Sequence, residues 1–282
     1  MIERISELKT NESVGTKAET FSTEKLKIYE REYRNGIIYK EIHNVTSFSH
    51  TIDLIEESIV TSEEIFQKSK ELELETLGDK QEDITSSKEQ MPFRFLLIDI
   101  DGTLIPNIEL AEKPDKIGEE IANSFKKASE FFKDSLAIVT NRKEVNNLFP
   151  NSPDVIGVAR ELINETDRNI PLYTGLLKQI PTLSRENTPR KIVENKIERD
   201  NMSYEDIPQE WYINVFLPRI TPLIHNIAKR AIEENKNTIT LYSIEDLSFV
   251  SANRRTCLLY IAKRLKKEYS LDTNILNFVI KN

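Results

Sequence analysis

The sequence predicts an α/β protein built on a parallel sheet, and three observations predict it. Phe95-Leu96-Leu97-Ile98 is an apolar run of strand length that stops at the turn chemistry of Asp99-Ile100-Asp101-Gly102, as a strand buried on both faces does. Leu136-Ala137-Ile138-Val139 is a second such run, ending at Thr140. Between them, from about Pro114 to Lys133, Ile117, Ile121, Phe125, Ala128 and Phe132 recur every three or four residues. That spacing makes one buried helical stripe. Strand, helix and strand in this length form a right-handed crossover between parallel strands.

Composition narrows the class. The chain has 282 residues, of which 38% are hydrophobic and 30% charged, enough for one large domain or two medium ones. No apolar run approaches the ~20 residues that span a bilayer, and Met1–Ile5 carry no apolar signal region. Cys257 is the single cysteine, which fits a reducing compartment and a cytoplasmic location. Three histidines, His43, His50 and His225, argue against a histidine-rich zinc site. Residues 1–90 hold 20 acidic and 12 basic residues, whereas residues 91–282 hold 27 of each. The whole net charge of −8 therefore belongs to the N-terminal third, and nothing forms a basic platform for nucleic acid.

Taken in order, residues 1–22 are polar and mixed and read as mostly disordered. Asn35-Gly36, between Tyr33 and Ile37-Ile38-Tyr39, is the strongest short hairpin signal. Ile52, Ile55, Ile59, Ile65, Phe66 and Leu72 follow at helical spacing, and Glu75 to Gln90 reads as a linker. Residues 1–90 thus read as an acidic N-terminal extension, for which a docking surface for a protein partner and a mere appendage are equally open. Beyond Thr140, Pro150, Pro153, Pro171, Pro181, Pro189 and Pro208 punctuate a less regular region. Trp211–Leu217 reads as a strand, and Thr221 caps a helix with Pro222 in its first turn. That helix carries Leu223, Ile224, Ile227, Ala228, Ala231 and Ile232 as its apolar face. Strands are expected at Thr238–Tyr242, Leu247–Val250 and Leu276–Ile280, with a helix from Asn253.

The chemistry concentrates at Asp99 and Asp101. Two carboxylates at the carboxyl end of a buried strand stand where open α/β sheets place ligands. Alternation points them the same way if extended geometry runs through both. Gly102 allows a sharp turn, and Thr103 can bond the loop. A hairpin turn is disfavoured because Pro106 and Asn107 interrupt any following strand. A calcium loop would need an entering helix and Glu at its twelfth position, where Leu110 stands.

Asp99-Ile100-Asp101-Gly102-Thr103 resembles the first motif of the haloacid dehalogenase-like superfamily of phosphatases, which implies a Rossmann-like core. The resemblance implies that Asp99 is the nucleophile that becomes an aspartyl phosphate, and that Asp101 is acid and then base. It also implies a magnesium ion held partly by this loop, with Asp99 and Asp101 as its ligands. Thr140 matches the second motif, a hydroxyl ending an apolar strand that donates to phosphate; taken alone, a threonine there is more often structural. Asn141-Arg142 stands where the sugar-phosphatase branch often has Gly-Arg, which makes Asn141 a further phosphate-side candidate.

In that branch an α/β cap is inserted after the second motif, which implies a cap over residues 151–250 between a first core part (91–150) and a second (251–282). The third motif, a cation followed by apolar positions four, seven and eleven residues later, fits Arg254 with Leu258, Ile261 and Leu265; a solvated arginine opening a helix is the even alternative. The branch's fourth motif, a strand leading into metal-binding acids, is expected after Leu276–Ile280. Lys281-Asn282 stand in its place, so the sequence is expected to be either a fragment or a degenerate member, with the metal site weakened and the sheet edge exposed. The implied activity is magnesium-dependent hydrolysis of a small phosphorylated metabolite, a sugar phosphate by the branch. A catalytically degenerate binding or regulatory protein and a phosphosugar mutase remain the alternatives.

Overall fold

The computed structural model describes residues 4–7, 26–33, 36–77, 90–105, 118–140, 155–174, 217–246 and 251–281. The strands are β1 (Arg4–Glu7), β2 (Lys27–Glu32), β3 (Ile38–Val45), β4 (Phe93–Ile98), β5 (Leu136–Thr140), β6 (Leu172–Thr174), β7 (Thr238–Asp246) and β8 (Asp272–Ile280). The helices are α1 (Phe48–Leu77), α2 (Glu119–Phe132), α3 (Val155–Asn164), α4 (Leu217–Glu233) and α5 (Ser251–Tyr269). All eight strands share one sheet, in the order β1-β2-β3-β8-β7-β4-β5-β6. Every neighbouring pair from β3 to β6 is parallel, and β1–β2 and β2–β3 are antiparallel. The expected α/β class with a mostly parallel sheet is therefore present.

Alternation along the strands sorts two cores. Phe93, Phe95 and Leu97 of β4 face α4 and α5, together with Leu241 of β7 and Ile275 of β8. Leu96 and Ile98 face the other way, against Phe48, Ile52, Ile55 and Ile59 of α1, Phe125 and Phe132 of α2, and Val155 of α3. The chain leaves β4 through α2 to β5 and through α3 to β6, with both helices on the α1 side. It then crosses to β7, on the far side of β4, with α4 on the opposite face. This reversal makes the carboxyl ends of β4 and β7 a topological switch point, where such sheets form a ligand crevice.

Several expectations change. The stretch 151–250, read as an inserted cap, contributes α3, β6, α4 and β7 to the main sheet and its helical layers. Its remaining parts, including the expected strands at 211–216 and 247–250, lie outside the described residues. α4 begins at Leu217 rather than after Thr221, with Pro222 inside it and Ile232 exposed. The N-terminal hairpin is not separate, because β3 pairs with β8 and so covers the edge that was expected to be open. Gly36 takes the positive φ of 77° that the Asn-Gly signal implies. Among the described side chains of α1 only those of its first turns are buried, and Ile65, expected on its apolar stripe, is exposed. Of residues 1–22, read as disordered, 4–7 form β1 and the others lie outside the described residues; of the linker expected at 75–90, residues 75–77 belong to α1 and 78–89 lie outside the described residues. Among the described residues no helix is long and apolar enough to cross a membrane.

Candidate active site at the strand switch point

The β4–β7 ladder runs one residue past β4. The amide of Asp99 donates to the carbonyl of Ile244 at 3.0 Å, and the carboxylate of Asp99 accepts from the amide of Ile100 at 2.9 Å. There the chain turns. The carbonyl of Ile100 accepts from the amides of Thr103 (3.3 Å), Leu104 (3.0 Å) and Ile105 (3.0 Å), and Gly102 donates to Ile105 at 2.8 Å. Extended geometry therefore stops before Asp101, so the expectation that alternation aligns both acids does not hold. Asp99 is buried and faces α4 and α5, whereas Asp101 is half-buried in the loop. The hydroxyl of Thr103, expected to bond the loop, is buried and has no hydrogen-bond partner among the described residues.

Gly102 is required twice over. Its φ of 69° lies in the left-handed region, which costs an L side chain about 1–2 kcal/mol. A β-carbon at this position would also fall 2.5 Å from a carboxylate oxygen of Asp246. Asp246 ends β7 and is buried at 4% exposure, and Glu245 beside it is buried at 3%. Since Ile98 registers with Ile244, Asp99 and Glu245 follow as the next pair on the α4–α5 face. Three buried acids, Asp99, Glu245 and Asp246, thus stand at the carboxyl ends of two adjacent strands at the switch point, with Asp246 against the Gly102 turn and Asp101 half-buried in the same loop.

Asp246 and Glu245 were missed by the sequence reading. The signal was an apolar strand ending in acids, as at β4, but the run was divided into two cap strands. The acids anticipated after Ile280 would in any case lie one strand away from β4, since β7 intervenes. Thr140 ends β5, fully buried, in register with Thr174 of β6. Asn141 lies outside the described residues. Arg254 is in the first turn of α5, but its side chain is outside the described residues. Arg219, half-buried in the first turn of α4, is a cation the sequence reading passed over. α4 feeds β7 at the strands' amino end, so its own start lies at the carboxyl end, as does that of α5.

A polar row extends from the site toward the hairpin on the same face. The amide nitrogen of Asn277 donates to Glu245 and, at 3.1 Å, to the hydroxyl of Tyr39. That hydroxyl donates to Glu41 at 3.0 Å. Arg255 donates to the same Glu41 oxygen from Nε (3.1 Å) and Nη2 (2.5 Å), and His43 Nε2 lies 2.5 Å from the other. Burial alone would raise the Glu41 pKa, but the His43 hydrogen bond and the Arg255 charge outweigh it and hold it at about 2. Burial, reinforced by Glu41 and Glu245, pushes the Tyr39 phenol well above its usual value.

Among the described residues no group of three or more His, Cys, Asp or Glu side chains stands close enough to hold a metal ion. The acids at the switch point are nonetheless hard oxygen donors, of the kind magnesium takes. In comparisons with known proteins, no family model, curated protein or solved structure matches this chain.

Proposed function

We propose that this chain is a phosphoryl-transfer enzyme of the haloacid dehalogenase-like kind, hydrolysing the phosphomonoester of a small metabolite, with a sugar phosphate as the substrate class. The observation that carries this reading is the placement of buried Asp99, Glu245 and Asp246 at the carboxyl ends of two adjacent strands at the switch point, beside a turn whose left-handed Gly102 packs against Asp246. In this reading an oxygen of Asp99 attacks phosphorus and the bond to the leaving alcohol breaks. Asp101, in its acid form, gives its proton to the departing oxygen. Asp101 then takes a proton from water, whose oxygen attacks the same phosphorus and releases phosphate from Asp99. The Thr140 hydroxyl donates to a phosphate oxygen without adding charge, and Arg219 or Arg254 supplies the cation. Asp99, Asp246 and the main-chain carbonyl of Asp101 would hold a magnesium ion, which would neutralise the phosphate's negative charge.

The test is p-nitrophenyl phosphate hydrolysis with and without magnesium. The wild type is expected to be active only with the metal. Asp99→Asn is expected to lose about a thousandfold or more, with its unfolding midpoint nearly unchanged. An Asp99→Asn variant as active as the wild type would refute the assignment. A binding protein without turnover has one observation in its favour, the absence of an assembled metal cage among the described residues. It predicts phosphate-ester binding with no phosphate release.

A further inference from the structure

We propose that Tyr39, Glu41 and Asn277 are positioning residues for the candidate site, holding Glu245 beside Asp99 through a hydrogen-bond relay that begins on the N-terminal hairpin. The inference rests on the phosphoryl-transfer reading and gives the hairpin a part in it.

The relay has a direction. Glu41 faces Arg255 and His43, and its charge leaves it able only to accept. The single proton of Tyr39 is therefore committed to Glu41, and its oxygen is left to accept from Asn277. That acceptance fixes which end of the Asn277 amide faces Tyr39, and the second N–H of the same nitrogen goes to Glu245. Turning the amide over would set its oxygen against the Glu245 carboxylate and the Tyr39 oxygen at once. The charge on Glu41 thus sets the orientation of the Asn277 amide that donates to Glu245, across three strands.

Two further observations set the relay apart from ordinary sheet packing. Deeper on the same face, Phe95, Leu241 and Ile275 are apolar and Thr273 is a buried neutral hydroxyl; the charged members of the row lie toward the carboxyl-terminal end, next to Asp99. Apolar residues of similar volume generally serve stability as well as or better than buried ionic groups. The arrangement also leaves Ser243 Oγ and Asn277 Oδ1 buried with no hydrogen-bond partner among the described residues, on residues that pair across β7 and β8. Such unsatisfied atoms are costly, and the amide orientation that serves Glu245 is what leaves Asn277 Oδ1 in that state. Groups that orient an acid near a metal or reacting atom typically change affinity or activity by 10–100-fold when removed.

The experiment uses the full chain and two variants, Tyr39→Phe and Glu41→Gln. Ile59→Val, a small loss of packing on the opposite face, is the control. Turnover of p-nitrophenyl phosphate and manganese affinity, read by electron paramagnetic resonance, are measured alongside the unfolding midpoint. Tyr39→Phe is expected to lower kcat about tenfold or more and to weaken manganese binding by a similar factor. KM should move little, and Ile59→Val should change neither quantity. Glu41→Gln should repeat the pattern, and it decides the question if Tyr39→Phe does not fold. Variants indistinguishable from Ile59→Val would overturn the relay while leaving the proposed function standing. If the wild type shows no Asp99-dependent turnover, the functional reading fails and manganese affinity alone decides. A tenfold loss in Tyr39→Phe would then still support positioning, whereas no wild-type binding, or equal binding in both, would overturn it.

Discussion

The two faces of this sheet end differently. Toward α1, α2 and α3, Leu96 and Ile98, Tyr242 and Ile244, and Phe278 and Ile280 line the surface with apolar side chains, with Thr240 a buried hydroxyl beside them and Asp246 ending β7. Toward α4 and α5 the same strands turn polar in their last residues, with Asp99, Ser243, Glu245 and Asn277 buried beside Tyr39 and Glu41 of the hairpin. Both faces are covered by helices, so exposure does not explain the contrast. A buried polar row costs stability unless each group is paired. Its charged members gather at one end of one face, which is where the proposed chemistry would take place, apart from the apolar packing that holds the fold.

That division can be broken by experiment, beginning with the apolar side. Phe125→Ala empties a fully buried position on α2 and should cost about 3–5 kcal/mol of stability, measured by urea unfolding. Turnover per folded molecule should stay unchanged; a loss of kcat there would erase the distinction between the faces.

On the polar side, the acid limb of stability is the next largest effect. Glu41 is held at about 2 in the folded chain against an ordinary value of 4.5. Its depressed pKa contributes stability that is complete above about 4.5 and lost as pH falls toward about 2, on the order of 3 kcal/mol. Glu41→Gln should flatten that portion of the stability–pH curve. An unchanged acid limb would mean that the ion pair with Arg255 does not hold Glu41 ionised.

The smallest expected effect sharpens the boundary at the loop. Gly102→Ala should cost about 1–2 kcal/mol from backbone strain alone. It should also lower turnover, because the new methyl displaces the Asp246 carboxylate. Strain without loss of turnover would separate Asp246 from the site.

Local features were legible in the sequence wherever one segment carries its own physics. The hairpin was announced by Asn35-Gly36, β4 and β5 by their apolar runs, and α2 by its stripe. The loop at Asp99 and Asp101 was announced by acids and glycine at a strand end. Strand order is a different kind of fact. Crossing from β6 over β4 to β7 requires the same alternation of helix and strand as an inserted unit would, so α4 and β7 were read as a cap. Once β7 was assigned there, Glu245 and Asp246 could not be placed beside Asp99. The pairing of Glu41 with Arg255 spans 214 residues of sequence, and neither residue carries a local mark of the other. Helical spacing alone, with Leu258, Ile261 and Leu265 behind it, points to Arg254 and not to its neighbour Arg255. The interior row shows what that spacing leaves out, since it orders the apolar residues of α5 without saying which arginine meets a buried acid.

The central claim is that Asp99 and Asp246, from two strands, form one phosphate- and metal-binding centre. Fluorine NMR of the full chain with magnesium and beryllofluoride, a phosphoryl mimic that attaches to a carboxylate, tests it without requiring turnover. Protein-bound fluorine resonances are predicted for the wild type and should vanish in Asp99→Asn and in Asp246→Asn. Resonances that persist in either variant, or none in the wild type, would contradict it.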